Sequence, residues 1–387
     1  MGARRPLTTP RPADRRLYHR RRLTLLGAGV LAYLLFRLAA LAPDAVEWLY
    51  ARRLGAFIAW PLSRVTAFFP FSVFELLVVA FVARQLAGAG VAGWELARRR
   101  RHWRNALSAG ALRVAGDVGV VVVAFYALWG FNYVRPPLTQ RVGFPAVEQV
   151  TVDELAALAR TAVDATNQAY GALHGREDAN RPTMGTRADR DGLFTALAEG
   201  WRRVEDSLGL GAPVGWRFGS PKPFLFAGLF KRGGTSGMYS PFTGEALIVA
   251  DLPAVSYPKS VAHEQAHQRG VAHEAEANFL GYLAAAWSPS LHAQYSAHAF
   301  AVRQLLLTLT EADRDRARAE SARLYAGVRR DLEDLRRYWA RYEGPLEEMG
   351  TRVNDAFLRT NRITEGVVAY SRSVELLIAF ARSRAGS

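Results

Sequence analysis

The chain has 387 residues, half of them hydrophobic, and it contains no cysteine. The lack of cysteine excludes disulfide frameworks, redox-active CxxC motifs and thiolate zinc sites, so histidines and carboxylates must hold any metal ion. A formal net charge of +15 would suit a nucleic-acid-binding protein, but the basic residues cluster beside long apolar runs. That pattern is typical of the cytoplasmic flanks of membrane spans, so we expect a lipid bilayer as partner and no nucleic acid.

The N-terminal region is a basic tail followed by an apolar run. Residues 1–22 carry eight arginines and a single aspartate, and are predicted to be a cytoplasmic tail. Residues 23–42, broken by one charge at Arg37, are long enough to cross the hydrocarbon core of a bilayer. A cleaved signal peptide is the alternative. The run is long for a signal sequence, and Pro43 follows without a clean small-residue cleavage site, which favours an uncleaved span.

The second apolar run, residues 71–94, is a weaker candidate for a span. It contains Glu75, Arg84 and Gln85, which should face other helices if the segment lies in a membrane. A buried amphipathic helix in a soluble core is the alternative.

The third apolar run, residues 114–131, has Asp117 as its only acid. Three spans that alternate in direction would keep both the basic tail and a second basic block, residues 98–104, in the cytoplasm. Residues 23–133 are therefore predicted to be a three-span membrane anchor, and residues 134–387 to be an extracytoplasmic domain.

The character of the sequence changes after the third run. Arg135 and the two prolines that follow it end the helix. Residues 151–154 predict a capping box for a helix that reaches about Leu173, and another helix is predicted near residues 191–208. Short strands separated by Gly and Pro turns are predicted at residues 216–218, 224–226 and 246–249. Later helix starts are predicted near Pro258, Glu274, Ser290, Glu311 and Arg362. The predicted fold class is mainly α: three N-terminal transmembrane helices, then an α+β domain with a small sheet and a helical C-terminal half.

The segment HEQAH, which begins at His263, carries the chemistry. His263 and His267 are spaced i, i+4, so on a helix both imidazoles can reach one ion, and Glu264 can serve as general base. Pro258 suits the first turn of such a helix and Gly270 its end. The apolar strand before the helix is interpreted as an edge strand along which a peptide substrate could pair.

Three residues compete as the third metal ligand. The pattern HExxHxxGxxH makes His273 the ligand, as in metzincins, although the only methionine downstream, Met349, is not a persuasive methionine turn. The segment EAEAN instead offers Glu274 or Glu276 from a second helix, as in gluzincins. Asn278, four residues after Glu274, would then orient one of the histidines. The residues alone leave these alternatives open.

Several segments resemble the bacterial membrane-protein family DUF3810. They include WGFNY at 129–133, GMYSPFTGEA at 237–246, HEQAHQRG at 263–270 and EAEANFL at 274–280, and the likeness covers nearly the whole chain. The EAEAN segment is also similar to the glutamate helix of ImmA/IrrE-type and Ste24/HtpX-type peptidases. The resemblance implies a zincin-like metallopeptidase domain behind an anchor in the bacterial inner membrane, with no known substrate. It favours Glu274 over His273, because the latter position is often basic in the family rather than histidine.

The combined expectation is a membrane-anchored, zinc-dependent peptidase with peptide or protein substrates outside the cytoplasm. Zn²⁺ would be held by His263, His267 and Glu274, with Glu264 taking the proton from the metal-activated water that attacks the peptide bond. A membrane sensor or assembly factor with a structural or vestigial metal site is the alternative, and a basic binder of nucleic acid or anionic lipid is a third hypothesis. Weaker candidates, as oxyanion donors, are Tyr239, Tyr295, His298 and Tyr370.

Overall fold

The computed structural model describes residues 12–99, 102–175, 187–210, 218–361 and 369–385. Within them the chain is mainly α-helical with one three-stranded sheet, which confirms the predicted fold class at that level. Two compact units are present: Met1–Ala42 with Leu76–Phe131, and Pro43–Glu75 with Asn132–Ser387. The predicted boundaries after residues 22 and 133 stay predictions about membrane topology. Residues 43–75 form one compact unit with residues 132–387, and not with the first and third apolar runs.

Sixteen α-helices are described, together with a π-helical segment at Val46–Gly55 and a 3-10 turn at Gly130–Val134. In chain order the α-helices are α1 Pro12–Ala39, α2 Pro43–Ala45, α3 Ala56–Thr66, α4 Val73–Ala97, α5 Trp103–Leu128, α6 Leu138–Val142, α7 Val152–His174, α8 Arg187–Leu208, α9 Ala227–Arg232, α10 Tyr257–Gln268, α11 Glu274–Ala286, α12 Leu291–Ala312, α13 Arg314–Ala322, α14 Ala326–Ala340, α15 Pro345–Thr360 and α16 Ala369–Ala385.

The helix starts predicted near Pro258, Glu274 and Ser290 agree with α10, α11 and α12. The helix expected near Glu311 begins instead at Arg314, because the side chain of Asp313 caps it. Helices α14 and α15 were not predicted, and the start near Arg362 lies outside the described residues.

The capping box predicted at the start of α7 forms in its first half only. The hydroxyl of Thr151 accepts the backbone N–H of Glu154 at 3.1 Å. The carboxylate of Glu154 does not return to residue 151, because it binds Arg382 on α16 through two hydrogen bonds of 2.8 Å. The first turn of α7 is thereby tied to the C-terminal helix.

Three of the described helices are long and apolar enough to cross a membrane, over Arg16–Ala39, Val73–Ala97 and Trp103–Leu128. This confirms the predicted membrane-spanning helices. The third begins before the predicted residue 114, because His102 caps α5 by accepting the backbone N–H of Arg104. No residue in the apolar window of α4 is buried, so the alternative of a buried soluble helix for this segment is wrong.

Helices α1 and α5 run side by side in the same direction. A β-carbon at Gly29 would lie 2.7 Å from the α-carbon of Gly119, so the two backbones touch where both helices have glycine. Further along both helices, Phe36 stacks on Tyr126 with ring centroids 4.7 Å apart. Parallel first and third helices are what an alternating three-span topology requires.

The sheet consists of β1 Lys222–Pro223, β2 Gly237–Ser240 and β3 Glu245–Ile248, in the order β1-β3-β2. Strand β3 pairs parallel with β1 and antiparallel with β2. The interpretation of residues 246–249 as an edge strand is therefore wrong: this strand is central, and β2 is an outer strand. Residues 224–226, predicted as a strand, connect β1 to α9, and residues 216–217 lie outside the described part of the chain.

The main core of the second unit surrounds α10 and α11. Both helices are buried on nearly all faces, and α8, α12, α16, β2 and β3 pack around them. Core residues include Leu197, Trp201, Leu247, Val261, Ala266, Phe279, Leu283, Ala297 and Val374. Close packing on all sides fixes the rotation of α10 and α11, and with it the direction of the polar side chains that they carry.

Candidate metal centre

The two histidines lie on α10, whose ends are set by the local sequence. Pro258 stands in the first turn, where the missing N–H of proline costs no hydrogen bond. The helix ends at Gln268, and Gly270 follows two residues later with a φ of +80°. Gly270 donates to the carbonyl of His267 at 2.9 Å, and Val271 donates to that of Ala266 at 3.2 Å, which is a Schellman motif.

Helix α11 begins at Glu274 and brings a carboxylate to the histidines. A β-carbon at Gly281 would lie 2.9 Å from the backbone nitrogen of His263, so glycine permits α11 to pack directly on α10. The Nε2 atoms of His263 and His267 are 3.2 Å apart. Glu274 Oε2 lies 3.2 Å from His263 Nε2, and Oε1 lies 3.6 Å from His267 Nε2. The three residues predicted as ligands therefore meet at one point.

The three side chains can supply ligand atoms to one zinc ion. Ligand atoms at about 2.0–2.1 Å from a tetrahedral zinc stand about 3.3 Å apart. The closest atom pairs here are 3.2, 3.2 and 3.6 Å apart, the last two through different oxygens of Glu274, and with one ligand atom from each residue all three atoms lie within 4.8 Å of one another. Two imidazoles and a carboxylate form a ligand set of catalytic zinc sites, which keep a fourth position open. Among the described residues, these three are the group of His and acidic side chains found close enough to hold an ion.

Hydrogen bonding, burial and charge act on all three side chains of the group. Nδ1 of His267 lies 2.7 Å from the carbonyl oxygen of Val271, which can only accept, so Nδ1 carries a proton and Nε2 is the ring nitrogen that faces the other two side chains. Burial, with a contribution from Lys259, lowers the pKa of His263 to about 4, so this ring is neutral. Burial alone would raise the pKa of Glu274, but His267 and His263 lower it to about 2, so this carboxylate is charged.

Glu264 lies next to His263 on α10 and packs against the outer strand of the sheet. It is only 3% exposed. Burial raises the pKa of its carboxyl well above the usual value; the charge of Glu274 adds to the shift and Lys259 opposes it. A β-carbon at Gly237, the first residue of β2, would lie 2.5 Å from Glu264 Oε1. The carboxyl group thus occupies space that only a glycine at this position leaves open.

Lys259 is a buried cation near the site that the sequence analysis did not identify. Its ammonium group donates to the side-chain oxygen of Asn278 and lies 3.8 Å from the ring centroid of Phe300. Burial lowers the pKa of Lys259 to about 7. The expectation that Asn278 orients a histidine is wrong, because Asn278 accepts from Lys259 instead. The spacing of Lys259 and His263, one helical turn apart, was the available signal.

The competing third ligands point elsewhere. The ring of His273 makes an edge contact with Tyr133, at a centroid distance of 6.4 Å. The carboxylate of Glu276 accepts the backbone N–H of Leu138 at 2.7 Å and a guanidinium N–H of Arg141 at 2.5 Å. Neither side chain joins the histidine pair in the part of the chain that the structure describes.

Arg135 holds the turn between α10 and α11 in place. Its Nε and Nη2 donate to the two carboxylate oxygens of Glu47 at 2.6 and 3.0 Å, and its Nη1 donates to the carbonyl of Gly270 at 2.8 Å. Burial alone would raise the pKa of Glu47, but the hydrogen bonds and charge of Arg135 lower it to about 2. The sequence pattern around Arg135 indicated only the end of a helix.

The family model described as "Protein of unknown function (DUF3810)" matches residues 50–378. The chain belongs to the DUF3810 family. No curated protein and no solved structure matches it.

In this DUF3810 chain, the segment PFTGEA forms the turn between β2 and β3 and the start of β3. The carboxylate of Glu245 accepts the backbone N–H groups of Val73 at 3.0 Å and Phe74 at 2.8 Å, and the ammonium group of Lys222 at 2.7 Å. The acid of this segment is thereby engaged in capping the start of α4, and it does not belong to the metal group.

The residues of the DUF3810 chain that were considered as oxyanion donors are buried in the fold or engaged with other side chains, where the structure describes them. Tyr239 is buried on β2, and burial raises its pKa. The hydroxyl of Tyr295 donates to Asp331 at 2.9 Å, and burial lowers the pKa of His298. The side chain of Tyr370 lies outside the described residues.

Proposed function

We propose that the protein is a membrane-anchored zinc peptidase that hydrolyses peptide bonds in extracytoplasmic peptides or proteins. The observation that carries the proposal is the convergence of His263, His267 and Glu274, whose closest atom pairs are 3.2–3.6 Å apart, with Glu264 on the helix that carries both histidines. Zinc held by these three side chains would supply Lewis acidity, which acidifies water and polarises a carbonyl group.

Glu264 is proposed as the general base. A base works best when its pKa lies near the working pH, and burial shifts the pKa of Glu264 upward from its usual acidic range. Its carboxylate accepts a proton from the water whose oxygen bonds to the carbonyl carbon. It then delivers that proton to the nitrogen that leaves when the C–N bond breaks, so the residue ends the cycle unchanged.

Strand β2 offers a place for the substrate backbone. It pairs with β3 on one side and is the outer strand of the described sheet on the other. An extended peptide can add to such an edge through backbone hydrogen bonds, which favour affinity without strict side-chain specificity. A peptide that pairs along β2 would pass Gly237, next to the carboxyl group of Glu264.

The proposed location is the bacterial inner membrane, with the N-terminus in the cytoplasm and residues 134–387 outside it. Exposed arginines at the start of α1, Arg20 and Arg21, and after α4, Arg98 and Arg99, support this orientation because cytoplasmic flanks are enriched in Lys and Arg. Reporter fusions at the two termini test it. A C-terminal reporter active in the cytoplasm would contradict the orientation.

The activity test uses the full-length protein in detergent, loaded with zinc and incubated with a pool of unfolded proteins. Cleavage products are counted by mass spectrometry. The isosteric variant Glu264→Gln should retain zinc and cleave about 10²–10⁴-fold more slowly, because it lacks the base. Glu311→Gln, the same change at an exposed position of α12, is the matched control and should cleave normally. Undiminished cleavage by Glu264→Gln would refute the proposed role.

Charged side chains within the candidate spans favour a second candidate function. Asp117 on α5 binds both Arg22 and Arg84, and such groups in membranes frequently serve signalling or transport. The chain would then be a sensor or assembly factor whose metal site is structural or vestigial. In that case cells with Glu264→Gln keep the wild-type phenotype and cells with His263→Ala lose it. Loss in both strains supports the peptidase.

A further inference from the structure

A group of arginines lies around one carboxylate in the first compact unit. Asp117 accepts hydrogen bonds from Arg22 at 2.6 Å, from Gln85 at 2.8 Å and from Arg84. Arg113, one helical turn before Asp117, donates to the backbone carbonyl of Gln85 at 3.3 Å. Among the described residues, Asp117 is paired with Arg22 and Arg84 but not with Arg113, so the three arginines and the one carboxylate together carry two excess positive charges.

Two glycines make room for this group between the helices. A β-carbon at Gly88 would overlap the guanidinium of Arg113, and a β-carbon at Gly116 would lie 2.9 Å from the side chain of Arg22. Arg113 of α5 thus packs against α4 at Gly88, and Arg22 of α1 packs against α5 at Gly116. The hydrogen-bonding capacity of Arg113 and Gln85 is not fully used, because Arg113 Nε and Gln85 Oε1 are buried and make no hydrogen bond.

The sequence positions of these arginines indicate how deep they lie relative to the membrane. Arg22 is the last cation before the apolar run that begins at residue 23, and Arg113 is the last before the run that begins at residue 114. Because α1 and α5 are parallel, with Gly29 against Gly119, Arg22 and Arg113 lie at the same end of the two runs. That is the level at which apolar helix gives way to the polar headgroup layer.

Arg84 completes the group from the exposed face of α4. Its side chain is 47% exposed, and its neighbours Phe81, Val82 and Leu86 are exposed apolar residues of the same candidate span. An excess cation among apolar side chains needs an anion nearby, because an uncompensated charge next to hydrocarbon is costly. Lipid phosphates are the anions available at the border of the headgroup layer.

We propose that Arg22, Arg84 and Arg113 form a binding site for the phosphate group of an anionic phospholipid. Asp117 is a positioning residue, since it orients Arg22 and Arg84 and leaves donors of all three guanidinium groups for the phosphate oxygens. The bound phosphate neutralises the excess charge and links α1, α4 and α5. This site is separate from the candidate metal centre and does not depend on the peptidase proposal.

The test measures lipid retention by the full-length protein. The protein in neutral detergent is mixed with phosphatidylglycerol and phosphatidylcholine of the same acyl chains, and bound lipids are counted by native mass spectrometry. Wild type should retain phosphatidylglycerol in preference to phosphatidylcholine. Arg113→Gln should bind phosphatidylglycerol about tenfold more weakly, as expected when one charge-assisted partner is lost. This variant leaves no carboxylate unpaired, so its unfolding temperature in phosphatidylcholine should match that of wild type.

Two controls distinguish binding at this site from a general electrostatic attraction between the basic protein and an anionic lipid. Arg104→Gln removes an exposed arginine at the start of α5, and should not change phosphatidylglycerol binding. Inorganic phosphate at the same concentration should not displace the lipid. Equal retention of the two lipids, an equal loss in Arg104→Gln and Arg113→Gln, or unchanged affinity in both Arg113→Gln and Arg84→Gln would overturn the proposal. Displacement by inorganic phosphate would overturn the assignment to a lipid.

Discussion

Gly281 on α11 lies against the backbone of His263 on α10, so closely that a β-carbon at residue 281 would stand 2.9 Å from the His263 nitrogen. This approach brings the first turn of α11 beside the two histidines of α10. Glu274, seven residues before Gly281 and two helical turns away, then reaches both imidazoles. A helix pair in direct backbone contact thus sets the geometry of the candidate metal centre.

Gly281→Val should force α11 away from α10 and weaken zinc binding. Overpacking of a close interface typically destabilises a protein by about 1–3 kcal/mol, and displacement of Glu274 would remove a ligand. The measurement is zinc per chain together with the unfolding temperature. Gly171→Ala, in a part of α7 where a β-carbon meets nothing within 4 Å, is the control and should be neutral or slightly stabilising. Full zinc occupancy in Gly281→Val would contradict the role of this contact.

Gly237→Ala should impair cleavage while leaving zinc in place. The added β-carbon would lie 2.5 Å from Glu264 Oε1, so the carboxyl group has to move, whereas the three ligand residues are on other elements. Cleavage rate and zinc content are measured side by side. Gly228→Ala, on α9 with open space around the new methyl group, should cleave at the wild-type rate. A wild-type rate in Gly237→Ala would show that the position of Glu264 does not matter for activity.

Removal of zinc by a chelator should destabilise the folded protein, and the effect should come only from the candidate metal centre of His263, His267 and Glu274. An ion that binds only the folded state adds about 2.7 kcal/mol at a concentration 100-fold above its Kd. We expect EDTA to lower the unfolding temperature of wild type and added zinc to restore it. His263→Ala, which lacks a ligand, should show neither response. A shift of equal size in that variant would locate the stabilising ion elsewhere.

The pair of Glu47 and Arg135 should make stability depend on acid pH. Arg135 lowers the pKa of Glu47 from 4.5 to about 2, so between these values the unfolded state binds more protons than the folded state, and stability falls as the pH falls. Above pH 4.5, Glu47→Gln should be less stable than wild type by on the order of 3 kcal/mol, because Arg135 loses its buried partner. That difference should shrink from pH 4.5 towards pH 2.

The pH series is read from thermal unfolding in one detergent. Glu199→Gln removes a half-buried carboxylate that pairs with the exposed side chains of Arg202 and Arg203 on its own helix, and it should change stability little at any pH. If the difference between wild type and Glu47→Gln stays constant from pH 7 to pH 2, the ion pair does not contribute as described.

Features with a local signal were predictable from the sequence. The spacing of His263 and His267 determines that they share a helix face, and Gly270 ends that helix as the turn chemistry requires. The apolar runs likewise identified the three membrane-spanning helices. The sequence left Glu274 as one of three possible third ligands, beside His273 and Glu276. Its approach to the histidines depends on helix packing at Gly281 and not on spacing alone.

Features that depend on distant pairing were not predictable. Strand β3 is central because residues 222–223 pair along its second side, and nothing in the alternation of residues 246–249 distinguishes a central strand from an edge strand. Asn278 faces Lys259 because of the rotation of α11 against α10. Residues 43–75 belong to the second unit through contacts such as Glu47 with Arg135, and a local pattern cannot indicate a pair separated by so many residues.

Zinc per chain, measured by elemental analysis after dialysis, tests the central claim most directly. Wild type, Glu274→Gln, Glu276→Gln and His273→Gln are compared, since all four carry the HEQAH segment and differ only in the third ligand that the sequence allows. The geometry predicts one zinc ion per chain in wild type, Glu276→Gln and His273→Gln, and a large loss in Glu274→Gln. Retention of zinc by Glu274→Gln with loss in His273→Gln or Glu276→Gln, or a wild-type chain that binds none, would contradict the metal centre of His263, His267 and Glu274.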